Sequence, residues 1–193
     1  MNKNITKTYQ QSNSKSSIYQ ITLIGIMSAI TCILGPLSIA IPFSPVPISF
    51  TNLAIYITVF ILGWKRGTIS YLIYLLIGLV GLPVFSGFTG GPGKLAGPTG
   101  GYLIGFIFMA MISGFIIEKF SGKVYMYIIG LILATAIAYL LGTSWLAYQV
   151  HLTFWQALMA GVIPYLLGDG IKIAIAVTLG PILKKRLALA NLL

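Results

Sequence analysis

Of the 193 residues, 58% are hydrophobic and only 7% are charged, whereas about a quarter of the residues of a soluble domain are charged. This composition excludes an ordinary soluble globular protein and indicates a chain that resides in a lipid bilayer. The formal net charge of +10 comes from cations scattered over several short segments, which argues against a nucleic-acid-binding face.

Long apolar segments recur along the chain, separated by Gly, Pro and charged residues. A membrane-crossing helix needs about 20 mostly apolar residues, fewer if it is tilted or buried in the protein. The pattern predicts an all-α integral membrane protein with six transmembrane helices, at 21–37, 48–62, 67–82, 101–117, 124–146 and 164–183.

The first 18 residues are polar and basic, with almost nothing apolar to bury. We expect a disordered cytoplasmic leader over 1–18, a single six-helix membrane domain over 19–187 and a short C-terminal tail over 188–193. The first apolar segment lacks a small-residue cleavage site, so it is interpreted as a retained helix and not as a cleaved signal.

The cations predict the orientation in the membrane. Ten of the 12 Lys and Arg residues fall in the tails or connections that share a side with the N-terminus, and Lys94 and Lys172 are the exceptions. By the positive-inside rule, both termini are cytoplasmic and the connection between helices three and four is extracellular. The cations also favour contact with anionic membrane lipid.

Several chemistries are excluded by the residue inventory. Cys32 is the only cysteine, His151 the only histidine, and Asp169 and Glu118 the only acidic residues. A disulfide framework, a zinc site and an aspartyl dyad each need more residues of these types. No phosphate-binding loop motif occurs. We therefore expect no enzyme activity, metal or cofactor, and any energy for transport must come from partners.

Asp169 and Lys172 lie together inside the last apolar segment. Residues three apart share a face of a helix, so the two charges project side by side. Charged residues within a membrane segment are costly and usually face a protein interior or a wet cavity. Two interpretations stay open: an ion pair that only locks the helix against its neighbours, or the floor of a substrate site. Gly168 and Gly170 would let a ligand or a neighbouring backbone approach closely.

A Gly-rich connection over 81–102 joins helices three and four on the same side. Long connections in compact proteins are usually disordered or functional, and its aromatic residues favour an ordered cap. Thr99 would begin helix four, leaving the amides of Gly100 and Gly101 free for an anion, and Lys94 adds a cation. A fitting ligand would carry a carboxylate, an apolar body and an amide-like group that bonds to Asp169.

Five stretches in succession resemble the BioY family, the biotin-specific S components of energy-coupling factor (ECF) transporters: LGPLSIAIPFSPVPISF, GLPVFSGFTGG, GPTGGYLIGF, YLLGTSWLAY and GVIPYLLGDGIK. The resemblance implies high-affinity capture of biotin from outside, in a bacterial cell membrane. It also implies two kinds of partner: a transmembrane coupling protein and two cytosolic ATPases.

The resemblance assigns roles to individual residues. In the G-D-x-x-K motif, Asp169 would accept from the ureido N–H groups of biotin. Lys172 would orient Asp169 and donate to the ureido carbonyl or to the carboxylate. The cap and wall would include Phe85, Thr99, Gly101, Tyr102, Thr51 and Asn52, although relatives often carry Gln at the position of Thr51. Lys94 is a further candidate for the carboxylate.

Gly25 and Ala29 lie four apart on helix one, a spacing that lets helices approach closely in lipid. The resemblance implies that this face docks on the coupling protein, and close packing within the bundle is the alternative. For the whole chain, the competing functions are an S component for another vitamin, a structural or accessory membrane subunit, and an intramembrane enzyme.

Overall fold

The computed structural model describes residues 3–42, 44–190 and 192–193, and describes side chains only from residue 18 onward. Helices dominate, and a two-stranded antiparallel sheet follows the first of them. The elements in chain order are α1 (Lys3–Leu34), β1 (Ser38–Ile41), β2 (Ser44–Ser49), α2 (Thr51–Leu79), α3 (Pro92–Ala96), α4 (Gly100–Lys119), α5 (Val124–Gln149), α6 (Phe154–Gly161), a 3-10 turn (Ile163–Tyr165) and α7 (Leu166–Leu189).

Four helical stretches of the described chain are long and apolar enough to cross a membrane: Thr51–Leu79, Gly100–Lys119, Val124–Gln149 and Phe154–Leu189. The apolar part of α1, Ile18–Leu34, is shorter. The leader was predicted to be disordered, but the side chains of residues 1–17 lie outside the described part, so this stays a prediction. The predicted domain boundaries also stay a prediction.

Helix α2 folds back on itself at Gly63, whose φ of 75° and ψ of −175° break the helix. Thr51 and Tyr74 line the same cavity, although 23 residues of continuous helix would hold them about 35 Å apart. A Cβ atom on Gly67 would lie 2.9 Å from Cγ1 of Val59. The two halves of α2 are therefore neighbouring antiparallel helices, and the predicted connection at 63–66 is reduced to one non-helical residue.

Glu118, at the end of α4, stabilises this reversal, because its Oε1 accepts from the backbone N–H of Trp64 at 3.2 Å. A Cβ atom on Gly63 would lie 1.6 Å from the same oxygen. The positive φ requires glycine at this position, and a larger residue would also displace the carboxylate of Glu118 from Trp64.

We expect Gly63→Ala to lower the free energy of unfolding by about 1–3 kcal/mol, because the backbone conformation is nearly exclusive to glycine. Thermal unfolding of the detergent-solubilised protein measures the change. Gly168→Ala is the matched control, since a Cβ atom there meets nothing within 4 Å and the change should be neutral or slightly stabilising. Unfolding of Gly63→Ala at the wild-type temperature would contradict this account of the turn.

The structure adds two short strands, at 38–41 and 44–49, to the predicted all-α fold, whereas the prediction leaves 38–47 as a connection and begins a helix at 48. Helix α1 ends at Leu34 and α2 begins at Thr51, and between them β1 and β2 pair with Ser38 opposite Ser49 and Ile39 opposite Ile48. Pro45 and Pro47 in β2 explain the difference, because proline disrupts a helix interior but is accepted in an edge strand.

The segment before α7 also departs from the prediction of a simple loop, since it contains helix α6. A capping box begins this helix: the Thr153 hydroxyl accepts from the Gln156 amide N–H, and the Gln156 side chain accepts from the Thr153 N–H. The spacing Thr-x-x-Gln was a readable start signal for a helix.

The bundle has two chemically different ends. The apolar core runs through α2, α4, α5 and α7. The reversal at Gly63, the α4–α5 turn and the end of α7 lie together at one end, as the contacts of Trp64 with Glu118 and of Leu187 with Ile61 and Leu62 indicate. Most cations belong to these segments, whereas Asp169, the sheet and the Gly-rich connection lie at the other end.

Candidate functional site

The site is centred on Asp169, in the first turn of α7, which is only 8% exposed. Its Oδ1 accepts from Nζ of Lys172 at 2.9 Å and from Nδ2 of Asn52 at 2.8 Å. Its Oδ2 accepts from the hydroxyl of Tyr139 on α5. Helices α2, α5 and α7 thus meet at one carboxylate.

Lys172 is equally well connected. Its ammonium donates to Asp169, to Oδ1 of Asn52 at 3.1 Å and to the backbone carbonyl of Ser49 at 2.7 Å. An ammonium has three N–H donors, so all of them are used within the protein. Lys172 therefore holds Asp169, Asn52 and the end of β2 in fixed positions.

The carboxylate of Asp169 retains capacity for a ligand. A carboxylate has about four lone-pair sites, and three are used by Lys172, Asn52 and Tyr139. The amide of Asn52 also has a second N–H. The site can therefore accept one further hydrogen bond at Asp169, and the second N–H of Asn52 lies towards the cavity residues and Tyr56.

A cavity of about 50 Å³ lies beside this network, so the charged turn of α7 faces the interior of the bundle. Asn52, Asp169 and Lys172 supply an amide and two charged groups to its lining, beside the hydroxyl of Ser49. The remaining walls are aromatic or apolar and include Tyr102, Phe106 and Met109. Such a cavity suits a small ligand that has one polar end and an apolar body.

A second cavity of about 50 Å³ adjoins the first, and both are lined by Val46, Pro47, Ser49 and Phe106. Two of the predicted site residues, Thr51 and Thr99, line this second cavity and not the first. The strand β2 and the ring of Phe106 therefore separate two compartments. The first lies beside Asp169, and the second lies beside the Gly-rich connection, since Ser86 and Thr99 line it.

Tyr102 is a wall of the first cavity, and its hydroxyl donates to the carbonyl of Gly161 at 3.0 Å. Gly101 does not line either cavity: a Cβ atom there would lie 2.3 Å from Cβ of Trp145, so this glycine permits close packing of α4 on α5. The amide of Gly100 donates to Gly97 at 3.0 Å and so is not free for an anion, contrary to the expectation.

The Gly-rich connection is ordered and closes the end of the bundle. Phe85 is fully buried and stacks edge-on with Tyr74, so it anchors the connection in the core without lining a cavity. The indole N–H of Trp145 donates to the carbonyl of Gly97 at 2.9 Å. Lys94 donates to the carbonyl of Ser86 at 3.3 Å, and partial burial lowers the pKa of its ammonium.

Sequence reasoning missed two tyrosines. Tyr139 bonds to Asp169, and the hydroxyl of Tyr165 lies within hydrogen-bond distance of Oγ of Ser44, at 2.7 Å, and of the carbonyl of Val46, which ties the strand β2 to the start of α7. Both lie within stretches that carry the family resemblance. No spacing rule could have linked them to their partners. Tyr139 is 30 residues from Asp169, and Tyr165 is 121 residues from Ser44 in β2.

Gly168 and Gly170 have a different environment from the one expected. A Cβ atom on either would meet nothing within 4 Å, so neither is needed for a close approach within the described structure. Gly25 and Ala29 are both exposed on α1, and Gly25 likewise has open space around it. The small residues of α1 are therefore not used for close packing inside this bundle.

The fold and the site define a class: a helical membrane protein with a buried, charged binding cavity at one end. The model of the BioY family matches residues 6–189. Biotin transporter BioY of Thermotoga maritima is 37% identical over 76% of this chain and 86% of its own length. Biotin transporter BioY2 of Lactococcus lactis subsp. cremoris is 31% identical over 91% of this chain and 96% of its own.

A solved structure is similar as well. The crystal structure at 2.1 Å of the S-component for biotin from an ECF-type ABC transporter has a TM-score of 0.83 and 32% identity, covering 89% of this chain and 93% of that one. The chain belongs to the BioY family.

Proposed function

We propose that this protein is the biotin-binding S component of an ECF transporter and is not an enzyme. The observation that carries the proposal is the partly satisfied carboxylate of Asp169, buried at the polar end of an otherwise aromatic and apolar cavity. Biotin has matching groups, since its ureido ring carries N–H donors and a carbonyl, its thiophane ring is apolar, and its valerate ends in a carboxylate. The names of the relatives support the same ligand.

In this proposal Asp169 accepts from a ureido N–H group, and Lys172 orients Asp169, because its three donors are already used. The second N–H of Asn52 is placed to serve the ureido carbonyl. Tyr102 supplies an aromatic wall, and Thr51 and Thr99 line the compartment that receives the valerate chain. Phe85 and Gly101 line neither cavity in this proposal, and they support the cap by packing against Tyr74 and Trp145.

The proposed topology has six crossings, with both termini in the cytoplasm. The four long helical stretches become five because α2 reverses at Gly63, and the apolar part of α1 adds the sixth. The cation-rich end would face the cytoplasm and the Gly-rich cap the outside. We expect a bacterial cell membrane as the location.

Transport requires partners in this proposal: a transmembrane coupling protein and two cytosolic ATPases. The described residues 18–42, 44–190 and 192–193 offer no cluster of metal-binding side chains, and the sequence has no nucleotide motif. The exposed small residues Gly25 and Ala29 are proposed as the docking face for the coupling protein.

Thermal unfolding with and without biotin tests the function. Biotin at 100 times its dissociation constant should add about 2.7 kcal/mol to the stability of the solubilised protein. Riboflavin and thiamine serve as controls. Stabilisation by one of them instead of biotin would favour an S component for another vitamin, and stabilisation by no small molecule would favour an accessory subunit.

Lys94 is proposed as a contact of the biotin carboxylate. Its ammonium donates to the carbonyl of Ser86, and Ser86 lines the second cavity. We expect Lys94→Ala to weaken biotin binding by about tenfold, because a hydrogen bond to a charged group contributes about 1.5–3 kcal/mol. Isothermal titration of the purified variant measures this effect. Lys94→Arg should retain affinity, and unchanged affinity in Lys94→Ala would exclude Lys94 from the site.

A further inference from the structure

A large cavity lies at the cation-rich end of the bundle, opposite the biotin site. It has a volume of about 420 Å³, and its lining combines the apolar side chains of Phe60, Ile117 and Tyr127 with Lys184 and Lys185 of α7. Asp169–Lys172 is the one ion pair found among the side chains that the structure describes, so no carboxylate there neutralises Lys184 or Lys185. The cavity therefore presents two uncompensated cations beside apolar walls.

An apolar groove lies farther along α7. It lies between α5 and α7, has a volume of about 400 Å³, and is lined by Ile128, Ile132, Ile173, Ala174 and Val177, among others. Ala174, Val177, Pro181 and Lys184 follow one another at intervals of three or four residues, so they form one stripe of α7. The groove and the two lysines thus lie on a continuous surface.

The length of this surface matches one leaflet of a membrane. From Ala174 to Lys184 the helix rises over ten residues, which is about 15 Å. The hydrocarbon core of a bilayer is about 30 Å thick, so one leaflet accounts for about 15 Å. An acyl chain that begins at the level of Lys184 would therefore end near Ala174.

We propose that this surface binds one anionic phospholipid, with its phosphate at Lys184 and Lys185 and one acyl chain in the groove between α5 and α7. The exposed hydroxyl of Ser121 lines the same cavity and supplies a further donor for the headgroup. A zwitterionic lipid fits less well, because its own cation competes for the phosphate. The inference rests on the membrane placement proposed above, but not on the identity of the vitamin.

Native mass spectrometry of the detergent-solubilised protein with added phosphatidylglycerol or phosphatidylcholine tests the site. Wild-type protein should retain phosphatidylglycerol in preference to phosphatidylcholine. Lys184→Gln/Lys185→Gln should weaken phosphatidylglycerol binding by about 30-fold, as expected for two lysines near an anionic headgroup. The control Lys65→Gln/Arg66→Gln removes the same charge at the same end of the bundle and should bind as wild type does.

Two further experiments distinguish binding of a lipid from binding of another anionic ligand. Thr178→Trp fills the groove at an exposed position of α7 and should weaken phosphatidylglycerol binding with both lysines intact. Inorganic phosphate at millimolar concentration should not shift the unfolding temperature, whereas phosphatidylglycerol should raise it.

Equal retention of both lipids by the wild type, or equal phosphatidylglycerol binding by the lysine variant and its control, would overturn the proposal. Stabilisation by inorganic phosphate alone would also overturn it. So would loss of the coupling protein from the lysine variant with lipid binding unchanged, since this would assign the surface to that partner. Stabilisation by biotin is measured separately in each variant, so a failure of the lipid site is distinguishable from a failure of the vitamin site.

Discussion

Asp169→Asn should abolish high-affinity biotin binding, with a loss of about 10- to 150-fold or more, because a hydrogen bond to a charged group contributes about 1.5–3 kcal/mol. The amide replaces one acceptor oxygen with an N–H₂ donor. That donor would face the N–H groups of Asn52 and Lys172 or the hydroxyl of Tyr139, all of which donate to Asp169. Isothermal titration with biotin measures the affinity.

The same change should also destabilise the protein, because it leaves Lys172 as a buried, uncompensated charge, which costs about 3–5 kcal/mol. Asp169→Asn/Lys172→Met removes both charges, and we expect it to recover stability but not biotin binding. Glu118→Gln makes the same carboxyl-to-amide change outside the site and should bind biotin normally. A folded Asp169→Asn variant with wild-type affinity would remove Asp169 from the site.

Gly25→Trp/Ala29→Trp should abolish biotin uptake and leave biotin binding within about twofold of the wild-type value, since large side chains prevent the close helix approach that small residues allow. Both positions are exposed on α1, so the added rings should not disturb the bundle. Uptake of labelled biotin by cells that contain the coupling protein and the ATPases measures transport. Titration of the purified variant measures binding.

Ile26→Trp/Ile30→Trp is the matched control. These two residues are also exposed on α1 and also four apart, but they lie about 100° around the helix from Gly25 and Ala29. We expect normal uptake from this variant. Equal loss of uptake in both variants would indicate a general effect on α1, and equal loss of biotin binding would show that the docking role is wrong.

The parts of the fold that follow from local pattern were predictable from the sequence. Apolar stretches gave the positions of α4 and α5 within a few residues, because a membrane helix must satisfy its backbone hydrogen bonds internally and so leaves a long apolar signal. The hairpin at 38–49 was missed, since its apolar residues continue the flanking segments. Pro45 and Pro47 of its strand β2 were the available sign against a helix.

The site was partly predictable for the same physical reason. Asp169 and Lys172 are conspicuous in an apolar segment, and their spacing places them on one face. The contacts of Asn52, Tyr139 and Ser49 with them depend on how α2, α5 and β2 are arranged in space. Thr99 and Gly101 were placed near one another by sequence, but packing sends one towards a cavity and the other against Trp145.

The hydrogen bond from Lys172 to the carbonyl of Ser49 joins the floor of the cavity to the sheet. The sheet leads directly back to α1, so the ammonium of Lys172 and this hairpin connect the proposed biotin site with the proposed docking face of α1. By thermodynamic reciprocity, if biotin changes the affinity for the coupling protein through this route, the coupling protein must change the affinity for biotin by the same factor. The binding of the vitamin and its release to the transporter would then both depend on this one coupling free energy.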